Sequence, residues 1–278
     1  MKYIQKTTEP QFLTDYRNDR ESENETKTHK EIWDDFGKKK DENGKSLSNE
    51  LWDILWKEQG GICAYCGSRI DNMHGNDDFF NDNTNVNRLE KGTKRREHMQ
   101  PKSLEIHRDK IFLYSNLLAV CQGNEVPNQR NNPNNFHCDA KKKEKPIPNL
   151  IFPTNPNCES VFKYEEENDE NEDLVRIIPI NDIKDNDIST AIEKILGLNF
   201  KTLKERRYKA KEISSDILSE FRNKALSENA LKEQLEKRII VQDTKNEKGS
   251  FKECTFVTKY FLQKALNEIK NTEGVKKI

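Results

Sequence analysis

Short apolar stripes separated by long polar tracts run through the chain, and their period changes along its length. Residues 10 to 45 are polar and rich in Lys, Glu and Asn, yet Thr28-His29-Lys30-Glu31 has the form of a capping box. That signature predicts a short helix through Ile32, Trp33 and Phe36. Leu51, Ile54 and Leu55 recur at helical spacing, and Gly60-Gly61 is expected to stop that helix. The Asn- and Asp-rich stretch from Asp71 to Asn87 has little to bury and reads as a loop. Ile111 to Tyr114 and Leu117 to Val120 are apolar runs flanking Asn116, too short for periodicity to separate strand from helix. Gln122 to Phe136 is an Asn- and Pro-rich loop, and Ala140 to Lys145 forms a short helix that Pro146 ends. Leu174 to Ile180 reads as a strand. Beyond Ile188 the period turns helical, over Ala191 to Leu196, Leu203 to Phe221, Leu231 to Ile240 and Phe256 to Ile269. No internal repeat, glycine-rich phosphate loop or heptad array interrupts this pattern.

Composition narrows the architecture. With 32% hydrophobic and 35% charged residues among 278, a single large core is not expected. A small metal-stabilised unit beside amphipathic helices fits better, because a bound metal replaces core area the chain lacks. The expectation is therefore an α+β protein in three parts: a polar, helical extension over 1–60, a compact centre over 61–150, and an acidic segment with a helical region over 151–278. No apolar run approaches membrane-spanning length, and Met1 to Lys6 lacks the apolar core of a signal peptide, so a cytoplasmic protein with no membrane partner is expected. Thiols stay reduced there, and six cysteines then favour a metal site over disulfides.

Four of those cysteines frame a Glu-His step. Cys63-Ala64-Tyr65-Cys66 is a tight knuckle, and Cys121 and Cys138 follow at long range. Tetrahedral Zn²⁺ takes four thiolates, and the knuckle supplies two at little loop-closure cost. A redox Cys-x-x-Cys pair is the alternative, but it wants a βαβ context that is missing. His137, beside Cys138, is the alternative fourth ligand, and Cys158 and Cys254 are left as buried thiols.

Between the cysteines lie Glu97-His98, Asn116 and Asp139, with Lys102 and the run Lys141-Lys142-Lys143 near them. The net charge of −1 conceals a separation: Val86 to Lys145 holds thirteen Lys or Arg against seven Asp or Glu, whereas Tyr164 to Asp187 holds ten acids against Arg176 and Lys184. A basic stretch over a candidate site suits a phosphate-backbone ligand. Hydrolysing a phosphodiester needs an activated water and a cation on the phosphate oxygens. An imidazole titrates near neutral pH, so His98 can be the base, with His107 its local rival. Glu97 would face the opposite side of a strand and ligate a divalent ion, joined by Asp139. Asn116 would accept from the far ring N–H of His98 or orient it through its own backbone. Asn116 as a turn residue, Asp139 as a helix cap and the lysines as a solvated face are the plainer alternatives.

The order Cys-x-x-Cys, Glu-His-x-x-Pro-Lys-Ser, Asn-Leu-Leu-x-x-Cys, Cys-Asp-x-x-Lys resembles the HNH endonuclease family. The wide Cys121–Cys138 spacing, with Gly123-Asn124 and His137 inside it, resembles its PtuB-type branch from Septu and retron-associated anti-phage systems. The match covers about residues 60 to 145, with weaker likenesses at Thr8-Glu9-Pro10 and from Leu196-Gly197-Leu198-Asn199 to Arg206-Arg207. The resemblance implies a zinc-stabilised ββα-metal core with flanking helices. It implies His98 and Asn116 as catalytic residues, Glu97 and Asp139 as ligands of the catalytic ion, Cys63, Cys66, Cys121 and Cys138 on structural Zn²⁺, and Lys102, Lys141, Lys142 and Lys143 towards nucleic acid. Asp139 stands where other members place His or Asn, and a Glu-Asp pair suits Mg²⁺ or Mn²⁺. The implied substrate is DNA, with RNA open, and the implied partner is an ABC-type, PtuA-like ATPase, alone or in a retron complex. A non-catalytic zinc-ribbon binding or scaffold subunit is the reading from a different class.

Overall fold

The computed structural model describes residues 1–19, 27–70, 95–124, 133–169, 172–180 and 186–276. It is α+β, with helices around two separate antiparallel strand pairs. The Asp71–Asn87 loop and most of the Gln122–Phe136 loop lie outside the described residues.

The first half begins with α1 (Gln11–Asp19), α2 (His29–Lys38) and α3 (Leu47–Glu58). The expected capping box opens α2: Thr28 Oγ1 accepts from the Glu31 N–H at 3.3 Å, and the Glu31 carboxylate accepts from the Thr28 N–H at 2.8 Å. Helix α3 ends just before Gly60-Gly61, as its sequence predicts. Helix α1 falls in the tract read simply as polar. It forms because Leu13 and Tyr16, three positions apart, give it one buried face.

After α3 come the cysteine knuckle and a two-stranded sheet of β1 (Arg95–His98) and β2 (Leu117–Val120), with Glu97 opposite Leu118 and His98 opposite Leu117. All four β2 residues are buried, which resolves that apolar run as a strand, while Glu105–Lys110 and Tyr114–Asn116 form 3-10 turns. The far edge of β2 is closed by Gln59: its amide donates to the Ala119 carbonyl at 2.7 Å and accepts from the Ala119 N–H at 2.8 Å. This ties the end of α3 to the sheet. The short α4 (Cys138–Lys142) follows.

In the second half, β3 (Phe162–Asp169) pairs with β4 (Glu172–Pro179). The first of these strands hides in the acidic tract. Phe162 and Tyr164 face the core, while Glu166 and Glu167 meet Lys211 and Lys204 at 3.0 and 2.9 Å. Glu172 meets Lys201 at 2.6 Å. Those lysines belong to α6 (Lys201–Asn223), so part of the acidic surplus seen in the sequence is matched within the fold. Helix α5 (Asn186–Thr190) runs into a wide π turn over Ala191–Ile195, and α7 (Glu228–Gln242) and α8 (Thr255–Lys276) complete the bundle with α6.

Division by composition at residues 60 and 150 does not divide the packing. One apolar cluster takes in Leu13 and Phe36, Leu118 and Cys138, and Val175 and Val257. A smaller cluster of Phe221, Leu235, Leu262 and Leu266 fills the bundle of α6, α7 and α8. No described helix is long and apolar enough to cross a membrane.

Candidate metal centre and active site

The four framing cysteines converge. Their Sγ atoms all lie within 4.8 Å of one another. Cys63 to Cys138 is 3.9 Å and Cys66 to Cys121 is 3.7 Å. Tetrahedral zinc with Zn–S bonds of about 2.3 Å requires an S···S edge of about 3.8 Å, so the spacing is that of a metal site and far beyond a disulfide bond. Donation from neighbouring thiols, Cys121 first, holds Cys66 well below the ordinary thiol range, while burial pushes Cys138 well above it. Thiolates at all four positions, three buried and Cys121 half-buried, cannot coexist without a cation among them, and a bound dication would supply it.

Local structure aims each sulfur. In the knuckle, the Gly67 N–H donates to the Cys63 carbonyl at 2.9 Å, and Gly67 has φ of +73°. A side chain there would run into the Phe256 ring at the start of α8. Gly123, at φ +60°, similarly leaves room for the His137 carbonyl. The Cys138 N–H donates to the Leu196 carbonyl at 2.7 Å, so the fourth ligand is tied to the C-terminal half. His137 stands beside the sulfurs, with Nδ1 3.2 Å from Cys138 Sγ and 3.9 Å from Cys121 Sγ. It is placed to donate to thiolate from outside the cluster. Cys158 and Cys254 are buried thiols apart from the cluster, and burial pushes Cys158 up to about 11.

Glu97 and His98 occupy adjacent positions of β1, so their side chains leave on opposite faces. Both are nevertheless buried, at 5% and 4% exposure, so His98 does not face open water as expected. Its ring meets Trp33 edge-on at 4.5 Å, and Trp33 belongs to an aromatic wall with Phe36 and Phe112. The His98 Nε2 lies 3.0 Å from the Ile111 carbonyl. A carbonyl only accepts, so Nε2 carries the hydrogen and Nδ1 keeps the lone pair. Burial, then the Lys102 charge, lowers His98 to about 3, which keeps the imidazole neutral at neutral pH. The unfolded chain would protonate this residue near 6.5. Its stability contribution is therefore complete above that pH and is lost as pH falls towards 3. Proton NMR of the ring is expected to show no titration between pH 8 and 5; a midpoint near 6.5 would refute its burial.

Among the described hydrogen bonds, Asn116 has none to the His98 ring. Its side-chain oxygen accepts from the Gln100 N–H at 2.8 Å, and its amide donates to the Gln100 and Lys110 carbonyls, both at 3.1 Å. Its backbone carbonyl accepts from the Met99 N–H at 3.0 Å. Asn116 thus fixes the ends of the loop whose Ile111 carbonyl holds His98. It therefore reaches His98 only indirectly, through the loop its side chain fixes.

Glu97 and Asp139 come together from β1 and α4, their carboxyls within hydrogen-bond reach of each other. Burial, then the Asp139 charge, pushes Glu97 well above the ordinary carboxylate range, against the pull of Lys142. Two carboxyls in contact need a shared proton or nearby cations, and Lys142 on Glu97 and Arg95 on Asp139 supply two. Oxygen donors of this kind suit a hard divalent ion, so the pair fits Mg²⁺ or Mn²⁺. Arg95 Nη1 lies 3.2 Å from Asp139, and the Tyr65 hydroxyl donates to Glu97 Oε1 at 3.1 Å.

The lysines divide. Lys143 is exposed, and Lys102 and Lys141 are half-buried, the Lys102 ammonium lying 5.5 Å from the centre of the Trp33 ring. Lys142 is a correction: it has no exposed surface and ion-pairs with Glu97 at 2.7 Å instead of lying on a phosphate-facing surface. Helical geometry turns it to the same inward face as Cys138, four residues earlier. His107, the rival histidine, sits in the 3-10 turns beyond β1. Sequence reasoning missed Tyr65, Trp33, Arg95 and Ile111. Tyr65 alone had a local signal, its place inside the knuckle.

Comparisons with protein-family models, with curated proteins and with solved structures returned no match.

Proposed function

We propose that this protein is a metal-dependent HNH-type endonuclease that hydrolyses phosphodiester bonds of DNA, acting in anti-phage defence with an ABC-type, PtuA-like ATPase. The observation that carries the reading is the meeting of Glu97 on β1 with Asp139 on α4, beside a neutral His98 and inside a four-cysteine frame. Two strands, a short helix and a metal-type cysteine cluster in this order are what a ββα-metal core would contribute. A bound Mg²⁺ or Mn²⁺ would supply the positive charge that stabilises the phosphorane-like transition state. The chain's own residues do the rest. Nδ1 of His98 takes the proton from the attacking water, and the Ile111 carbonyl holds the ring in the required tautomer. Glu97 and Asp139 present oxygen donors, and Lys143 and Lys141 offer charge to the strand on the side of α4. Zinc on the four cysteines fixes the frame.

Non-catalytic zinc-ribbon binding keeps one observation in its favour: His98 lies under Trp33 with little solvent contact. On the nuclease reading, Trp33 must shift when substrate or ATPase binds. Plasmid cleavage measured across a Mg²⁺ and Mn²⁺ titration separates the two. Wild type is expected to nick DNA only with added ion, and Glu97→Gln to need far more of it. Cleavage that is indifferent to added ion and to Glu97→Gln sinks this assignment.

A further inference from the structure

Both buried donors around Glu97 converge on one oxygen. Tyr65 Oη and Lys142 Nζ both contact Oε1, at 3.1 and 2.7 Å. Tyr65 is 1% exposed and Lys142 is wholly buried, so water does not compete for them. Lys142 is held in turn by the His98 carbonyl at 3.1 Å. Both donors sit on elements that carry cysteine ligands, Tyr65 between Cys63 and Cys66, and Lys142 one helical turn after Cys138. A buried ion pair costs desolvation that its own attraction roughly repays. Net stability therefore does not account for an ammonium at this position.

We infer that Tyr65 and Lys142 are positioning residues that occupy Oε1 of Glu97, leave Oε2, which no basic or phenolic donor among the described residues engages, as the oxygen for an ion, and so make the Glu97–Asp139 site selective for Mg²⁺ or Mn²⁺ over Ca²⁺. The inference rests on the nuclease reading of that site. The chemistry is one of denticity. Ca²⁺ takes about six to eight oxygens and readily accepts both oxygens of one carboxylate, whereas Mg²⁺ prefers octahedral, one-oxygen contacts and keeps its waters. A carboxylate with one oxygen doubly engaged offers the second kind of contact. Lys142 also partly neutralises the pair, which lowers the affinity for any divalent ion and keeps exchange fast.

The test uses the full-length, zinc-loaded protein, with Mn²⁺ binding read by paramagnetic resonance and Ca²⁺ by competition. Wild type is expected to bind Mn²⁺ in preference to Ca²⁺. Tyr65→Phe and Lys142→Gln are each expected to narrow that preference about tenfold, the scale of one hydrogen bond to a charged acceptor. Lys142→Gln should also tighten Mn²⁺ binding. A preference that neither substitution moves, with Mn²⁺ binding still abolished by Glu97→Gln, overturns this inference and leaves the nuclease reading standing. Wild type that binds no Mn²⁺, or binds it equally well after Glu97→Gln, overturns both. Tyr65→Phe keeps its ring in the core and carries the test by itself if Lys142→Gln does not fold.

Discussion

Replacing Cys138 with serine is expected to cost the protein the zinc proposed for its four-cysteine cluster, and with it much of its stability. Cys138 is fully buried, closes the cluster 3.9 Å from Cys63, and begins the helix that carries Asp139 and Lys142. Structural zinc sites contribute about 10–16 kcal/mol of binding free energy in small metal-dependent peptides, comparable with the whole net stability of a typical domain, about 5–15 kcal/mol. A serine leaves three thiolates and a poor fourth donor. The backbone cannot relax freely, since the Cys138 N–H is pinned to the Leu196 carbonyl. A loss of about 5 kcal/mol would lower the melting midpoint of a chain this size by about 10–20 °C. Metal analysis and thermal melting check this, with Cys158→Ser as the control that should keep its zinc, because that thiol lies outside the cluster. A Cys138→Ser protein that retains one zinc and melts like wild type would show that the four-sulfur frame is not what holds the fold.

The largest expected effect on activity comes from His98→Ala. On the proposed mechanism His98 supplies the proton acceptor, and a general base is worth about 10²- to 10⁴-fold in rate. Burial lowers the basicity of the ring, since desolvation disfavours the imidazolium it must become, so on this mechanism Trp33 shifts and solvent reaches His98 before it acts. The alanine also leaves a cavity beneath Trp33, so some stability is lost with the base. Zinc content separates the two effects: the cysteine ligands do not contact the His98 side chain in the hydrogen bonds described, so a folded variant should keep its metal while losing cleavage.

Much of this could be read from the chain, for identifiable reasons. The capping box at Thr28, the stop at Gly60-Gly61 and the helical stripes beyond Leu203 are local signals, and local hydrogen bonding and periodicity decide them. The cysteine frame was legible because a Cys-x-x-Cys knuckle supplies two metal ligands at little loop-closure cost and two further cysteines complete the four. Strand β3 was not, since its acids are matched by lysines of α6, 37 and 45 positions away in the sequence, and only the fold reveals them. Lys142 was misread for a similar reason. A lysine run looks like one solvated face, but a helix turns its second member inward onto Glu97. Trp33 over His98 is a contact across 65 positions between an N-terminal helix and β1, and no spacing rule reaches that far.

Cleavage of plasmid DNA by wild type and His98→Ala, matched for zinc content and assayed in Mn²⁺ with and without the ATPase, tests the central claim most directly. The account predicts that wild type cuts and that the variant, still folded and zinc-loaded, is slower by at least about a hundredfold. Equal cutting by the two proteins, or no cutting by wild type under any of these conditions, would contradict it.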